Sequence, residues 1–505
     1  MKVHLSVVLM ISCLFVAVTS SFASAPNVYI AQNATGGANG TSCANAYGLA
    51  FFNTSGNWGS EATQIGAGTT VHLCGTITGT LNSNILTFHG SGTSGNSITL
   101  KWETGAELTS PACSTCINVA GNSWITLDGN GTNPSITNTA NGSSLANQID
   151  SVAIQAQPCN NCEFKNLDIT NIYVHVAGID TTTGYGTGIK LYGSNFLIHN
   201  NTFDGMFAEV EDGYNSGDTN LQIYQNTFDH MNWGVHIGNN NTNVLSHVYL
   251  HDNHLMDMDN WDTPSDAYHH DGLFVVQNDI SASITDVEMY NNIANGVQGS
   301  NATAWIYVNT AMNGVYIYNN ILTNMGNGGY AIEGGFSGDR NYYIINNSID
   351  CKGSSAISIG PVTNFTIENN AIYDCQTYLY THNITGAVTV NNNAYDLAGS
   401  TGGSAFKWNG NNGGATFLQY QAATGLDSSL LTLSSFGWNS LYILQPGSAL
   451  IGKGTNLTDL DITALDTDKA GTARPSTGAW DIGAYESGAV AGQPAPPSGL
   501  IATVE

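Results

Sequence analysis

The chain has 505 residues, 37 of them acidic and 10 basic, for a formal charge of −27 with only 9% charged residues overall. So acidic a surface repels nucleic acid and anionic membranes, and it admits a polyanionic glycan only beside a cation. The 58 glycines, with abundant Asn, Ser and Thr, suit short strands and turns and leave no amphipathic helix of useful length.

The first 25 residues read as a secretory signal. Lys2 and His4 precede an apolar run from Leu5 to Val18, and the small residues Ala23, Ser24 and Ala25 follow. The run is too short to cross a bilayer, so the expected location is secreted or cell-surface. Removing the signal takes one Lys away and leaves a charge of −28 with eight cysteines. An even number in an exported chain points to disulfides rather than zinc. Cys351 and Cys375 sit one repeat apart and could bridge neighbouring coils, and Cys43 and Cys74 suit a second pair. Cys113-x-x-Cys116 and Cys159-x-x-Cys162 read as bridges too, local or across coils.

Residues 26–160 form an entry region, with strand-like segments such as Thr69–Cys74 and Ser97–Trp102 between Gly-rich turns. From 161 to 410 one motif recurs: apolar-x-apolar-x-x-Asn. Its Asn copies are Asn201, Asn226, Asn253, Asn292, Asn320, Asn347, Asn370 and Asn393, spaced 25, 27, 39, 28, 27, 23 and 23 residues apart. A near-constant period with alternation before each Asn predicts a solenoid of strands, a parallel β-helix with two or three strands per coil. The Asn side chains are expected to form an internal ladder. Residues 411–486 lose the period and read as the C-terminal cap of the open core. A Gly/Ala/Pro linker follows in 487–505, and its end resembles the first strand of a fibronectin type III domain, cut short.

These coils resemble the right-handed parallel β-helix repeats of the pectate-lyase-like superfamily. Gly90–Thr99 is similar to the entry region of many exported bacterial members, and Pro446–Ala449 with Asp481–Tyr485 to their C-terminal end. The resemblance implies the fold class: all-β, a right-handed parallel β-helix with a C-terminal cap. It leaves the chemistry open, because the superfamily holds lyases, hydrolases, epimerases and non-catalytic surface proteins.

The interval of 39 residues marks an insertion over Met256–Asp271, carrying Asp257, Asp259, Asp262, Asp266 and Asp271 with His269, His270, Trp261 and Tyr268. Insertions in solenoids build binding faces. Asp257, Asp259, Asp262 and Asp266 are candidate oxygen ligands for Ca²⁺. Asp271, His270 and His269 are candidate acid/base groups, with His236 and Glu333 in support from neighbouring coils. Alignment of the second strands puts Lys190, His236 and Glu333 in one outward column. Lys190, Trp233, Trp261, Tyr268 and Trp305 are candidate substrate contacts, aromatic faces suiting sugar rings. The run His269-His270-Asp271-Gly272 is similar to the Asn-Thr-Asp-Gly segment of polygalacturonase-type hydrolases at its Asp and Gly, and departs from it at both histidines. Calcium-dependent lyases of the resembled fold use clustered Asp with a Lys or Arg base, and none of the basic residues of the coil region, Lys165, Lys190, Arg340, Lys352 and Lys407, stands in such a setting. The expectation is a secreted protein cleaving the glycosidic bonds of an extracellular polysaccharide, leaning toward hydrolysis over elimination. The alternative is a non-catalytic, glycan-binding or adhesin-like surface protein.

Overall fold

A computed structural model describes residues 24–488, apart from 179–185, 213–218, 240–243, 263–268, 278–282, 310, 326–328, 397–404, 410 and 415. Each regular coil contributes three strands, as in Met312–Tyr318, Ile321–Thr323 and Tyr330–Gly334. The first face is the strand before the ladder Asn, the second the short strand after it, and the third the strand that leads to the next coil. Stacked in parallel register, the first faces make a 14-stranded sheet, and the other two merge into a 24-stranded one. The molecule is a right-handed parallel β-helix.

The apolar positions of the repeat explain the stack. Ile198, Ile223, Leu250, Met289, Ile317, Ile344, Ile367 and Val390 are in register from coil to coil and all are buried. Each such side chain contributes about 1.5–3 kcal/mol by leaving water. The corner between the first two faces is a two-residue turn. Its first residue is left-handed in every coil (Asn200, Gln225, Asp252, Asn291, Asn319, Asn346, Asn369, Asn392), a conformation Asn and Asp tolerate best. Its second is the ladder Asn. From Asn201 to Asn370, each Nδ2 donates to the Oδ1 of the next coil's Asn at 3.0–3.1 Å. The ladder ends on Asp427, whose carboxylate accepts from Asn393.

Helix α1 (Leu49–Phe52) tucks Phe52 against Trp58 and Phe88 at the N-terminal end. Helix α2 (Phe417–Thr424), held by a Thr416–Gln419 capping box, closes the last coil by stacking Tyr420 on Phe406 at 4.6 Å. The chain then runs back along a side of the solenoid. The outward left-handed Asn residues hold it there: Asn392 donates to the Lys453 carbonyl, Asn369 to Thr455, Asn346 to Asp481 and Gly483, and Asn319 to Thr467. Four disulfides join Cys43–Cys74, Cys113–Cys116, Cys159–Cys162 and Cys351–Cys375. Two therefore cross between segments a coil or so apart, and two are local. No helix among the described residues is long and apolar enough to cross a membrane.

Candidate functional site

Six third-face strands position the site: β1 (Thr187–Leu191), β2 (Thr202–Asp212), β3 (Thr227–Asn239), β4 (His270–Gln277), β5 (Ala302–Asn309) and β6 (Tyr330–Gly334). Strands β2 and β3 bend through the corner, so each serves the second face at its start and the third at its end. Register runs Lys190, Glu211, His236, Phe274, Tyr307, Glu333 along one outward column.

The insertion leaves the coil after Leu255 and returns at His270. Within it, the 3-10 turn Asp259–Trp261 folds back on the coils instead of projecting into solvent. Trp261 is buried, stacks on His175 at 4.2 Å and meets Phe207 edge-on, and its Nε1 donates to the His230 carbonyl. Below it Tyr173, Phe207, Trp233, Phe274 and Tyr307 make a second apolar cluster outside the main core. This burial changes the meaning of most outward positions. His236 is fully buried, stacked on Phe274 at 4.9 Å, and burial, with His269 nearby, lowers it to about 3. Its burial and ring stacking suit a packing role and disfavour the charged form an acid/base group needs. Trp233 is buried and donates its Nε1 to the His269 carbonyl at 2.9 Å. Trp305 lies in the main core and donates to the Thr323 carbonyl, so neither indole face is offered to a sugar. Lys190 remains half-exposed, its Nζ 3.6 Å from Glu211.

His270, expected as an acid/base group, is fully buried with both ring nitrogens engaged: Nδ1 on Asn232 at 2.6 Å and Nε2 on Asp262 at 3.1 Å. Asp262 also accepts the amides of Ser300 and Asn301. Burial pushes its carboxyl up, but these hydrogen bonds outweigh it and leave it below its usual range. The pair fastens the insertion to the next coil. Asp262 is thus engaged as a latch and Asp259 is exposed on the turn, and neither joins a group of metal-ligand atoms among the described residues. Asp266 and Tyr268, also expected in the site, lie outside the described residues.

His269 is the accessible member of the histidine pair, its side chain 41% exposed. Its Nδ1 meets the Asp271 Oδ2 at 2.5 Å, and Asp271 is fully buried, with Oδ1 accepting the Ala304 amide at 3.3 Å. Burial pushes Asp271 up while the His269 hydrogen bond pulls it down. The ring rests edge-on against Phe274 and Tyr307. A buried carboxylate on Nδ1 fixes the tautomer and leaves Nε2 as the proton acceptor. Glu333 stands two coils beyond Phe274 in the column, about 9–10 Å along the axis. Burial, with Asp271 adding and His269 opposing, raises it to about 7.

That shift has a stability consequence. Between about pH 4.5 and 7 the unfolded chain's Glu333 loses its proton before the folded chain's does, so stability falls as pH rises through this window. We expect Glu333→Gln to flatten that decline in urea denaturation at stepped pH. An equal decline in the variant would show that other groups cause it.

A second cluster sits where β3 turns the corner. Ligand atoms of Asp229, His230 and Asp257 lie within 4.8 Å of one another. His230 Nδ1 is 2.9 Å from Asp204 Oδ1, in the preceding coil. Hydrogen bonding to Asp204 raises His230 to about 9, against burial. Behind them Glu209 is fully buried: Oε1 accepts the Asp229 amide at 3.3 Å and Oε2 has no partner among the described residues. Burial, with Asp229 and Asp204 nearby, pushes it well above its usual range. Converging carboxylates beside an orphaned buried oxygen fit a divalent cation. Of the three expected ligands among the described residues, Asp257 belongs to it and Asp259 and Asp262 do not. The signal for the others is the repeat Asn201-Thr202-Phe203-Asp204 and Asn226-Thr227-Phe228-Asp229, which sets two carboxylates in register one coil apart.

Fold and site together define a parallel β-helix protein with a carboxylate-supported imidazole at the start of β4 and a cation-type cluster where β3 bends. No protein-family model and no curated relative matches the chain. Among solved structures, it is similar to pectate lyase Pel9A, at 15% identity and a TM-score of 0.37, over 92% of this chain and 98% of that one. It is similar to the PL6 family alginate lyase AlyGC at 12% identity and a TM-score of 0.36, over 80% and 61%. For the PL6 family polysaccharide lyase Pedsa3628 from Pseudopedobacter saltans the figures are 12% and 0.33, over 73% and 88%.

Proposed function

We propose that this protein is an exported enzyme that cleaves an acidic polysaccharide by β-elimination. The observation that carries the reading is the pairing of exposed His269 with fully buried Asp271. Hydrolysis by two carboxylates needs both to reach the sugar. Asp271 is sealed behind His269, which leaves Glu333 as the reachable carboxyl of that pair and turns the lean away from hydrolysis. Elimination needs one base and one acid. His269 Nε2 takes the proton from the carbon next to the uronate carboxylate, those electrons form the new double bond, and the bond to the leaving sugar oxygen breaks. Glu333, near 7 and so partly protonated at neutral pH, returns a proton to that oxygen.

A protein of charge −27 must offset its repulsion of such a substrate. Asp204, Asp229, His230 and Asp257 would hold a divalent cation, which would neutralise the uronate carboxylate and acidify the adjacent C–H. The carboxylates suit Ca²⁺, and the imidazole widens the choice to Mn²⁺ or Zn²⁺. Saturating cation should stabilise the fold, by about 2.7 kcal/mol at a hundredfold excess over Kd. Thermal melts with Ca²⁺, Mn²⁺ and Zn²⁺ against chelator should show the rise, and Asp229→Ala and Asp257→Ala should abolish it. Equal melting with and without each ion would remove the cation from the proposal.

Export rests on the signal-like first 25 residues together with four disulfides. The test of the reaction is direct: incubate the protein with pectate and with alginate, and follow ultraviolet absorbance and new reducing ends. Both should rise together. Reducing ends without absorbance would mean hydrolysis, with His269 activating water. Binding with neither signal would make the protein a glycan-binding one.

A further inference from the structure

We propose a second carbohydrate site, for a neutral pyranose, on the first face near the N-terminal end, built around Trp124. It does not depend on the proposed elimination. One register column on this face runs Trp124, Asn161, Asn195, Asn220, the first three just before their strands and Asn220 at the start of its own. All four are left-handed, with φ of 58°, 56°, 61° and 60°. Asn adopts this conformation readily, whereas a bulky aromatic residue there is an outlier. Strain of this kind persists where something other than stability requires the side chain.

The indole lies beside a cavity of about 190 Å³, bounded also by Leu197, Glu163 and the three asparagines. Trp124 is half-buried, and its Nε1 has no hydrogen-bond partner among the described residues. The asparagine amides chain together, Asn220 donating to Asn195 and Asn195 to Asn161 at 3.0 Å each. The site thus offers an apolar wall of Trp124 and Leu197 against a row of amides, the division a pyranose presents between its C–H face and its hydroxyls. No basic side chain lines the cavity. Glu163 is held ionised, at about 2, chiefly by the His199 hydrogen bond with Lys165 also contributing. Its oxygens are engaged, Oε1 by His199 at 3.1 Å and Oε2 by Lys165 at 2.9 Å, so the Lys165 charge is already matched and is not left over for a uronate. The face differs from the one carrying His269, so a polysaccharide could be held here while another part of it, or another chain, occupies the corner.

The test uses the whole protein in affinity electrophoresis through gels containing hydroxyethyl cellulose, xylan or galactomannan, with pectate and alginate as anionic controls. At least one neutral polymer should retard the native protein. Trp124→Ala and Trp124→Asn should weaken that retardation tenfold or more, and Trp124→Phe should keep most of it. Because Asn relieves the strain, Trp124→Asn should also melt above the native protein, so lost binding cannot be blamed on misfolding. Retardation by no neutral polymer, by the anionic ones alone, or equally in all variants would overturn the site. A Trp124→Asn that melts below native would overturn the strain argument. Cleavage of pectate or alginate should be unchanged in all three variants, which separates this site from the one at His269.

Discussion

Replacing His269 by Ala should lower kcat/KM on the cleaved polysaccharide by about 10²–10⁴-fold, the usual worth of a positioned proton-transfer group. The side chain is 41% exposed, so its loss leaves the core intact and the melting temperature nearly unmoved. Asp271→Asn should cost nearly as much by a different route. The amide can still accept the Ala304 N–H, but it no longer holds the imidazole in the tautomer whose proton sits on Nδ1. The two residues act as a unit, so the double variant should be little worse than either single one. Steady-state rates of the three variants, with thermal melts as the folding control, decide the matter. Losses that multiply would show that His269 and Asp271 act separately. A His269→Ala protein with native rates would move the chemistry elsewhere.

The coil and its ladder were readable because backbone stacking imposes them locally. Each turn from first to second face needs one left-handed residue and one side chain that both donates and accepts, and Asn supplies both. The column Lys190, His236, Glu333 was readable for the same reason, since parallel register follows from period. The roles along that column were not. Alternation says which way His236 points, and an outward side chain is ordinarily wet. Here the insertion folds back through Trp261 and converts part of the outside into a second apolar cluster. That contact joins Trp261 to His175 and Phe207, remote in sequence, and no local pattern announces it. His269 and His270 illustrate the limit. They are adjacent and chemically identical, yet one is exposed on a buried carboxylate and the other is a fully buried strut, because successive residues of an extended chain face opposite ways. The cation-type cluster was different: the repeated Thr-Phe-Asp carries it, but the denser run of aspartates in the insertion outweighs it when residues are judged by local concentration.

The ladder itself makes the largest stability prediction, and Asn292 is its sharpest test. Its Oδ1 accepts the Asn253 N–H at 3.0 Å and the Asn253 Nδ2 at 3.1 Å, while its Nδ2 donates to the Leu250 carbonyl at 2.9 Å and to Asn320 at 3.0 Å. Alanine removes all four bonds. Two of the partners keep another: Asn253 Nδ2 still reaches the Ile223 carbonyl, and Asn320 Oδ1 still accepts the Asn292 amide. The Asn253 N–H and the Leu250 carbonyl lose the partners named here, in a part of the interior sealed from water. At about 1–3 kcal/mol for each stranded group, Asn292→Ala should cost roughly 2–6 kcal/mol, read from urea denaturation. Coils contact mainly their neighbours, so the damage should centre on the coils of Asn253 and Asn320. The first of these carries the insertion, and hydrogen exchange should accelerate first in its own strands, at Leu250–Leu255 and at His270–Gln277. Asn292→Asp separates the two halves of the bond set. It keeps acceptors for Asn253 but places a buried carboxylate beside the Asn320 oxygen and the Leu250 carbonyl, so it should be no milder than alanine. A loss under about 1 kcal/mol for Asn292→Ala would mean that water enters and satisfies Asn253, and the ladder would then be a consequence of the coil rather than one of its causes.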